Sequence, residues 1–438
     1  MRRLPIVYIL VLSGLAALAG WLYWPGAPAT RAAPAGGQVT TITFWNSWTN
    51  AAVVDKLAQV VAAFNRTHPN IHVRDVSGIP MQRLLLSITG GNPPDVAVLY
   101  PGGTLSTWVN NGAVRSLTPF VRQSHYNLGR FVPAMVRHAE FHGQLYALPF
   151  GNGAYMLYWN RTLFRRAGIA GPPATLSQLA SDARRLTARG QNGYRRLGFI
   201  PLMGGEGFPL YARLFGGHLW DAQRGRFTIN SQANIRALTW LANYVHGYGS
   251  AQVDKFEAGF GINGESPFFI GKVAMEITGQ WNVFNIHNYA PHLSYGVAPI
   301  PYWSANPAMR NSDALRGNSL IIPKGARHPQ AAWTFMTWLQ TGQAPVLVAK
   351  ALQNMPAVRS YLDNPQLTRI DAPQYTSFLH YLQGPNVVPW LPPTPVTGQL
   401  GIVLTQDVQL ALDGLRSPRQ ALDLAQQTMM QALTNTAH

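Results

Sequence analysis

The stretch Gly271-Lys-Val-Ala-Met-Glu-Ile-Thr-Gly-Gln-Trp281 decides how this chain is read. Val273, Met275 and Ile277 alternate with Ala274, Glu276 and Thr278, and a period of two spells a strand. Gly279 ends it, because a glycine permits a sharp turn and a close approach of backbone. Trp281 is thereby placed beyond the sheet edge, where α/β folds form their ligand crevices. Its indole either offers a flat face to a ligand ring or fills a core.

Upstream, the chain opens as βαβ. Val39 to Trp45 alternates β-branched and aromatic residues, a first strand that breaks at Asn46-Ser47-Trp48-Thr49-Asn50. Val53, Leu57, Val60, Val61 and Phe64 then recur at helical spacing, with Thr49 or Asn50 as the N-cap, and Ile71 to Val76 is a second strand. A helix over Met81 to Ile88 leads through Gly90-Gly-Asn-Pro-Pro-Asp95 into the strand Val96 to Tyr100. Asn46 to Trp48, Tyr100 and Gly102 follow the carboxyl ends of strands and are expected on one crevice; the alternative is that Trp45 and Tyr100 pack against helices.

Downstream of these strands, Leu148-Pro-Phe150 is expected as an extended crossing, Gly151-Asn-Gly153 as a turn and hinge, and Ala154 to Trp159 as a strand. Helical patterns follow at Leu176 to Leu186 and Ile235 to Val245. Between them, Gly204-Gly-Glu206-Gly207 carries an acid that either accepts ligand hydrogen bonds or is simply solvated. Ser294 to Pro301 is assigned as the second crossing. Arg316 to Lys324 reads as a strand with Gly317 and Asn318 before it, able to present backbone or amide groups to a ligand. Pro329 to Leu339 is an apolar helix with Trp333 and Trp338 in the core, and helices at 402–412 and 418–433 close the chain.

The 438 residues suit two lobes plus a targeting segment, and 47 % hydrophobic content lets each lobe bury a core. Lys and Arg number 34 against 17 Asp and Glu, for a net charge of +17, yet only 12 % of residues are charged. The chain is basic through acid depletion, and its basic residues cluster only as pairs such as Arg165-Arg166, so nucleic acid is not an expected partner. Few carboxylates suit a surface facing acidic medium. With no cysteine, disulfides and thiolate chemistry are excluded. Met1-Arg-Arg followed by an apolar span from Leu4 to Trp24 is an export signal, long enough to remain as an uncleaved anchor, and Thr30 to Gly37 reads as a linker. Trp21 follows Leu18-Ala19-Gly20 where a lipid-modified cysteine would stand, so lipid anchoring is excluded.

Several stretches together resemble one family, the extracellular sugar-binding proteins of ABC importers (solute-binding family 1). The 271–281 segment resembles its G-x-x-A-M-x-x-x-G-x-W, and residues 44–96 resemble its F-W strand end, F-N-x-x-x-P-x-I-x-V and G-x-x-P-D-V. Gly143 to Pro173 resembles G-x-x-Y-A-L-P, L-Y-Y-N-x-x-L-F-x-x-A-G and P-P-x-T; Arg316 to Lys324 resembles G-G-x-x-x-x-I-P-K; Pro329 to Leu339 resembles A-W-x-F-x-x-W-L. The likeness runs over about residues 39 to 425. It implies a two-lobed, Venus-flytrap α/β fold with a hinge of crossing strands. The lobes divide as 39–149 with 298–342 and 150–297 with 343–438, after an N-terminal 1–38 segment. It further implies a monomer outside the cytoplasm, in the periplasm or on the outer face of the membrane, that binds a carbohydrate between its lobes and docks on permease subunits. Carried over to this chain, Trp281 stacks on the ligand, while Trp45, Tyr100 and Tyr155 frame its rings. Asn46, Ser47, Asn152, Glu206, Gly317, Asn318 and Arg359 complete the expected ligand-binding set.

Two rivals stand beside that reading. The F-W-x-S strand end and the Pro149-Phe150 region also look like the branch that binds glycerol 3-phosphate or glycerophosphodiesters. Arg213, Arg316 and Arg359 would serve it, although Thr397-Gly-Gln-Leu lacks that branch's arginine and Asn354 stands where a tyrosine is usual. A secreted glycoside hydrolase would need two facing carboxylates, and nothing pairs Asp95, Glu206, Glu257, Glu265 or Glu276 by spacing. G-x-x-x-x-G-K-[ST], H-E-x-x-H and G-x-S-x-G are all absent, and His138 and His142, at helical i, i+4 spacing, lack a third ligand. No catalytic residue, metal or cofactor is therefore expected.

Overall fold

Asn50 caps the first helix, Ala51–Thr67, by accepting from the Val53 amide, and Leu57, Val60, Val61 and Phe64 form its buried stripe. This computed structural model describes residues 39–100, 104–191, 193–261, 265–369, 372–382 and 386–436. The apolar N-terminal span, its linker and Gly102 lie outside the described residues, among which no helix is long and apolar enough to cross a membrane. The helix connects two parallel strands, Thr40–Trp45 and Ile71–Val76, paired in register from Thr40 opposite Ile71 to Trp45 opposite Val76. Val96–Leu99 joins on the other edge of the first strand. Asp95 ties this corner together: Oδ2 accepts from the Thr43 amide and Oδ1 from the His328 amide, each at 3.0 Å.

Asp313–Ile321 completes the first sheet, antiparallel to Val96–Leu99 and to Leu148–Gly153, and pairs at its start with Val387–Pro389. The second sheet runs in the order Tyr295–Ala298, Tyr155–Asn160, Val273–Gly279, Gly193–Phe199, Ala188–Gly190. Val273–Gly279 is buried at every residue, so its alternation in sequence separates two covered faces rather than core from solvent.

Among the described residues two large hydrophobic cores are linked by crossing segments, with a smaller cluster of Leu197, Ile200, Val253 and Val273 beside them, in a two-lobed α/β fold. Leu148 and Phe150 belong to the first core, Ala154 and Tyr155 to the second; Leu315 belongs to the second, Leu320 and Ile321 to the first. Ala344–Leu352 lies between them, with Val346 and Ala349 in the second core and Val348 and Ala351 in the first.

Three local expectations change. Gly151 to Gly153 is not a turn but the end of a continuous strand. Its glycines serve close approach, since a Cβ on Gly153 would lie 3.0 Å from the Arg316 carbonyl oxygen. Tyr295–Ala298 remains the edge strand of the second sheet, because Pro299 and Pro301 cannot extend a ladder; Asp313–Ile321 makes the crossing. His138 and His142 share no helix face, because the Pro133–Ala139 helix ends between them and His142 turns with φ 48°.

Gly317 is the tightest point of the crossing. A Cβ there would stand 2.1 Å from Met135 Cε and 2.6 Å from the Gly151 carbonyl oxygen. Gly317→Ala is expected to cost about 1–3 kcal/mol, read from denaturation midpoints. A loss well under that range would mean the two strands part freely.

Candidate functional site

The crossing strands enter the second lobe at Ala154 and Tyr155. The Ala154 amide donates to Gln280 Oε1 and the Tyr155 amide to Asp313 Oδ2, each at 3.0 Å. Gln280 immediately precedes Trp281, the first residue of the Trp281–Tyr289 helix. The indole folds back over the strand end, where a Cβ on Gly279 would lie 2.1 Å from Trp281 Cζ3. Half-buried, Trp281 meets Tyr155 edge to face, with centroids 5.4 Å apart and planes at 89°.

Arg316 stands across this pair. Its guanidinium lies 5.4 Å from the Tyr155 ring centroid and 3.8 Å from that of Trp390. Both Arg316 Nη2 and Trp390 Nε1 donate to the Glu206 carbonyl oxygen, at 3.4 and 3.0 Å. Among the described residues Arg316 forms no ion pair, and its Nε is buried without a partner. A cavity of about 330 Å³ opens beside it, lined by Gly205, Gly207, Phe208, Trp390 and Leu404.

Glu206 is not a solvated loop acid; it is 1 % exposed. Oε1 accepts from the Leu202 amide at 2.9 Å and the Tyr211 hydroxyl at 3.0 Å, while Oε2 has no partner. Burial outweighs these bonds and pushes the carboxyl up to about 7. Glu276 is pushed up to about 8 by burial and by Glu206, and Glu257 to about 7 by burial and Asp254.

In the first lobe, Trp48 packs edge to face on Tyr100 at 5.3 Å and reaches Phe150 at 6.3 Å. Ser47 lies against the Tyr100 hydroxyl, which burial holds above its usual value. Trp45 and Trp48 both pack, partly buried, on the first core. Asn46 is spent on the loop itself: Nδ2 donates to Asp75 and Ser77, and Oδ1 accepts from the Trp48 amide. Asn152 is fully buried and donates from Nδ2 to the Pro356 carbonyl. Gly317 and Asn318 lie within their strand, paired with Asn152 and Gly151, rather than before it. Arg359 donates to the Gly129 carbonyl at 2.6 Å.

Of the expected set, the structure therefore gathers Tyr155, Glu206 and Trp281 in one place and Ser47 with Tyr100 in another. Trp390 and Gln280 were not singled out in the sequence. Trp390 comes close only through the pairing of Val387–Pro389 with Asp313–Leu315, which no local pattern signals.

The sequence profile of the bacterial extracellular solute-binding proteins matches residues 50–344. A protein of Brucella abortus (strain 2308) named as a binding protein is 26 % identical over 294 residues, spanning 64 % of this chain and 67 % of the relative. The sn-glycerol-3-phosphate-binding periplasmic protein of Salmonella typhimurium is 24 % identical, spanning 88 % of this chain and 91 % of its own length. Among solved structures, CpMnBP1 with mannobiose bound superposes with a TM-score of 0.79 at 26 % identity, covering 89 % of this chain and 99 % of that one.

The buried carboxyls set a pH dependence. Glu206 holds its proton more tightly folded than unfolded, so from the usual 4.5 up to about 7 the folded chain keeps a proton that the unfolded chain has released. That contribution lowers stability as pH rises through the window. The shift corresponds to about 3 kcal/mol at about 1.4 kcal/mol per unit. His138 and His218, held below their usual value by desolvation, act oppositely at lower pH, so the effect is read from a difference. Glu206→Gln is expected to stabilise the chain at pH 8 and to lose that advantage by pH 5, measured by thermal denaturation; a pH-independent difference would show a solvated carboxyl.

Proposed function

We propose, because this chain belongs to the family of bacterial extracellular solute-binding proteins, that it is the extracytoplasmic substrate-binding component of an ABC importer, holding a sugar or oligosaccharide between its lobes. The observation that carries the reading is the pair of aromatic groups at either end of one crossing. Trp48 lies against both Tyr100 and Phe150 before it, and Tyr155, with Trp281 packed on it, and Trp390 flank Arg316 after it. Aromatic faces with a few fixed polar groups are what a sugar site needs. Closure of the lobes is favoured by ligand contacts to both, and the closed form docks on the permease as a monomer. The lobes divide as 39–149 with 298–342 and 150–297 with 343–438, and the 1–38 segment directs export and serves as an anchor if it is retained.

The family and the structural neighbours are binding proteins, and we read this chain as one without catalytic activity. Glu206 and Glu276 both belong to the second lobe, so they do not flank a glycosidic bond from two sides of the cleft.

A second reading is favoured by Arg316. A guanidinium without an ion pair, with a buried and unpartnered Nε, suits a phosphate group. This would place the ligand nearer to the glycerol 3-phosphate named for the Salmonella relative.

Calorimetric titration of the full chain with mannobiose and with sn-glycerol 3-phosphate separates the two. Micromolar binding of the sugar, about 8 kcal/mol, weakened at least tenfold by Trp281→Ala and without turnover, is the expected result. Binding only of the phosphate compound, abolished by Arg316→Gln, would promote the second reading; sugar hydrolysis would overturn the non-enzymatic one.

A further inference from the structure

The chain has only 17 acidic residues, yet the second lobe holds three carboxyls with raised affinity for a proton, Glu206, Glu257 and Glu276. Two of them, with Trp281, Asn282, Thr278 and Ser266, line a cavity of about 380 Å³ in the second lobe, distinct from the one beside Arg316. Phe260 and Phe269 complete its walls, and none of its lining residues is Lys, Arg or His, in a chain of net charge +17.

Two polar atoms of this cavity are buried without partners: Glu276 Oε2, on a residue 9 % exposed, and Asn282 Nδ2, on a residue 6 % exposed. Buried polar groups are as a rule satisfied, and two polar atoms left open in the lining of one cavity call for a ligand offering the complement of each. Among the described residues no group of three His, Cys, Asp or Glu side chains is placed to hold a metal ion. A hydroxyl would satisfy Asn282, but two carboxyls facing one cavity with no basic side chain in its lining are matched by a ligand that brings a positive charge. Trp281 adds the face of its ring, which attracts a cation as well as stacking on a sugar.

We propose that this cavity is an amine subsite, which receives the protonated amino group of an amino sugar whose ring stacks on Trp281. Glu276 and Glu257 supply the counter-charges, and Asn282 donates to a neighbouring hydroxyl. The inference rests on the sugar-binding reading above and narrows its ligand class.

The test is titration of the full chain at pH 7 with the β-1,4-linked disaccharide of glucosamine, with its N-acetylated form and with mannobiose. The amine form is expected to bind at least tenfold more tightly than the acetylated one. Glu276→Gln and Glu257→Gln are each expected to erase that preference, lowering the affinity for the amine form at least tenfold more than that for mannobiose. Glu257, half-buried on the Ser250–Glu257 helix, keeps the test open should the strand variant fail to fold. Equal binding of the amine and acetylated forms, or an equal loss for all three sugars in the variants, overturns the amine subsite while the sugar-binding reading stands. Failure of every sugar to bind overturns both.

Discussion

A buried knot of amide hydrogen bonds ties Asn152, on a strand of the first sheet, to Gln280, at the end of a strand of the second, and the rest of the molecule is arranged about it. Asn152 exchanges backbone hydrogen bonds with Met355 at 2.8 and 3.2 Å and donates from Nδ2 to the Pro356 carbonyl at 2.8 Å. Gln280 accepts from the Ala154 amide and donates to the Asn152 carbonyl and to Asn354 Oδ1. Each bond contributes only about 1 kcal/mol net, but leaving a partner unsatisfied in this dry setting costs about 1–3 kcal/mol, so the set holds or fails together. Gln280 also precedes Trp281 directly, so the indole is wired to the same knot as the crossing strands.

Close backbone approach is the second constraint, and it explains why glycines cluster here. Gly153, Gly279 and Gly317 each occupy a position where a methyl group would collide with the Arg316 carbonyl, the Trp281 ring or Met135. None has a positive φ, so the requirement is for space rather than for backbone freedom. The same compactness lets Arg316 lie within reach of two aromatic rings and a carbonyl, a setting that holds a cation without neutralising it.

Local periodicity made much of this legible. The Asn50 cap, the stripe of the first helix and the Thr175-capped helix Leu176–Leu186 all follow from residues a few positions apart. What depends on distant pairing did not show. Asn46 reads as a ligand-facing amide until the register of Trp45 against Val76 brings Asp75 and Ser77 to it. Trp390 is invisible until a short strand near the end of the chain pairs with Asp313–Leu315, and Glu206 reads as a loop acid because the turn that lets nearby Leu202 and Tyr211 close over it has no periodic signal. Gly151 to Gly153 misleads for the opposite reason: glycine is a turn signal in sequence, and here it answers a steric demand from the neighbouring strand.

Acid depletion finally acquires a structural meaning. Among the described residues there are three ion pairs, two of them between neighbours on the chain, and exposed pairs of this kind contribute about 0–1 kcal/mol each. Arginines instead lie over aromatic rings: Arg130 on Tyr126, Arg161 on Trp159, Arg189 on Tyr194, Arg236 on Trp303, Arg310 on Tyr302, and Arg316 on Tyr155 and Trp390. Protonating a carboxylate dissolves an ion pair but leaves a cation over a ring untouched. The buried glutamates push in the same direction, since their protonated forms are the ones that burial favours. A fold with few ion pairs to lose and several carboxyls that prefer to be neutral tolerates acid better than one held by carboxylate bridges, which fits a surface held outside the cytoplasm and exposed to whatever pH surrounds the cell.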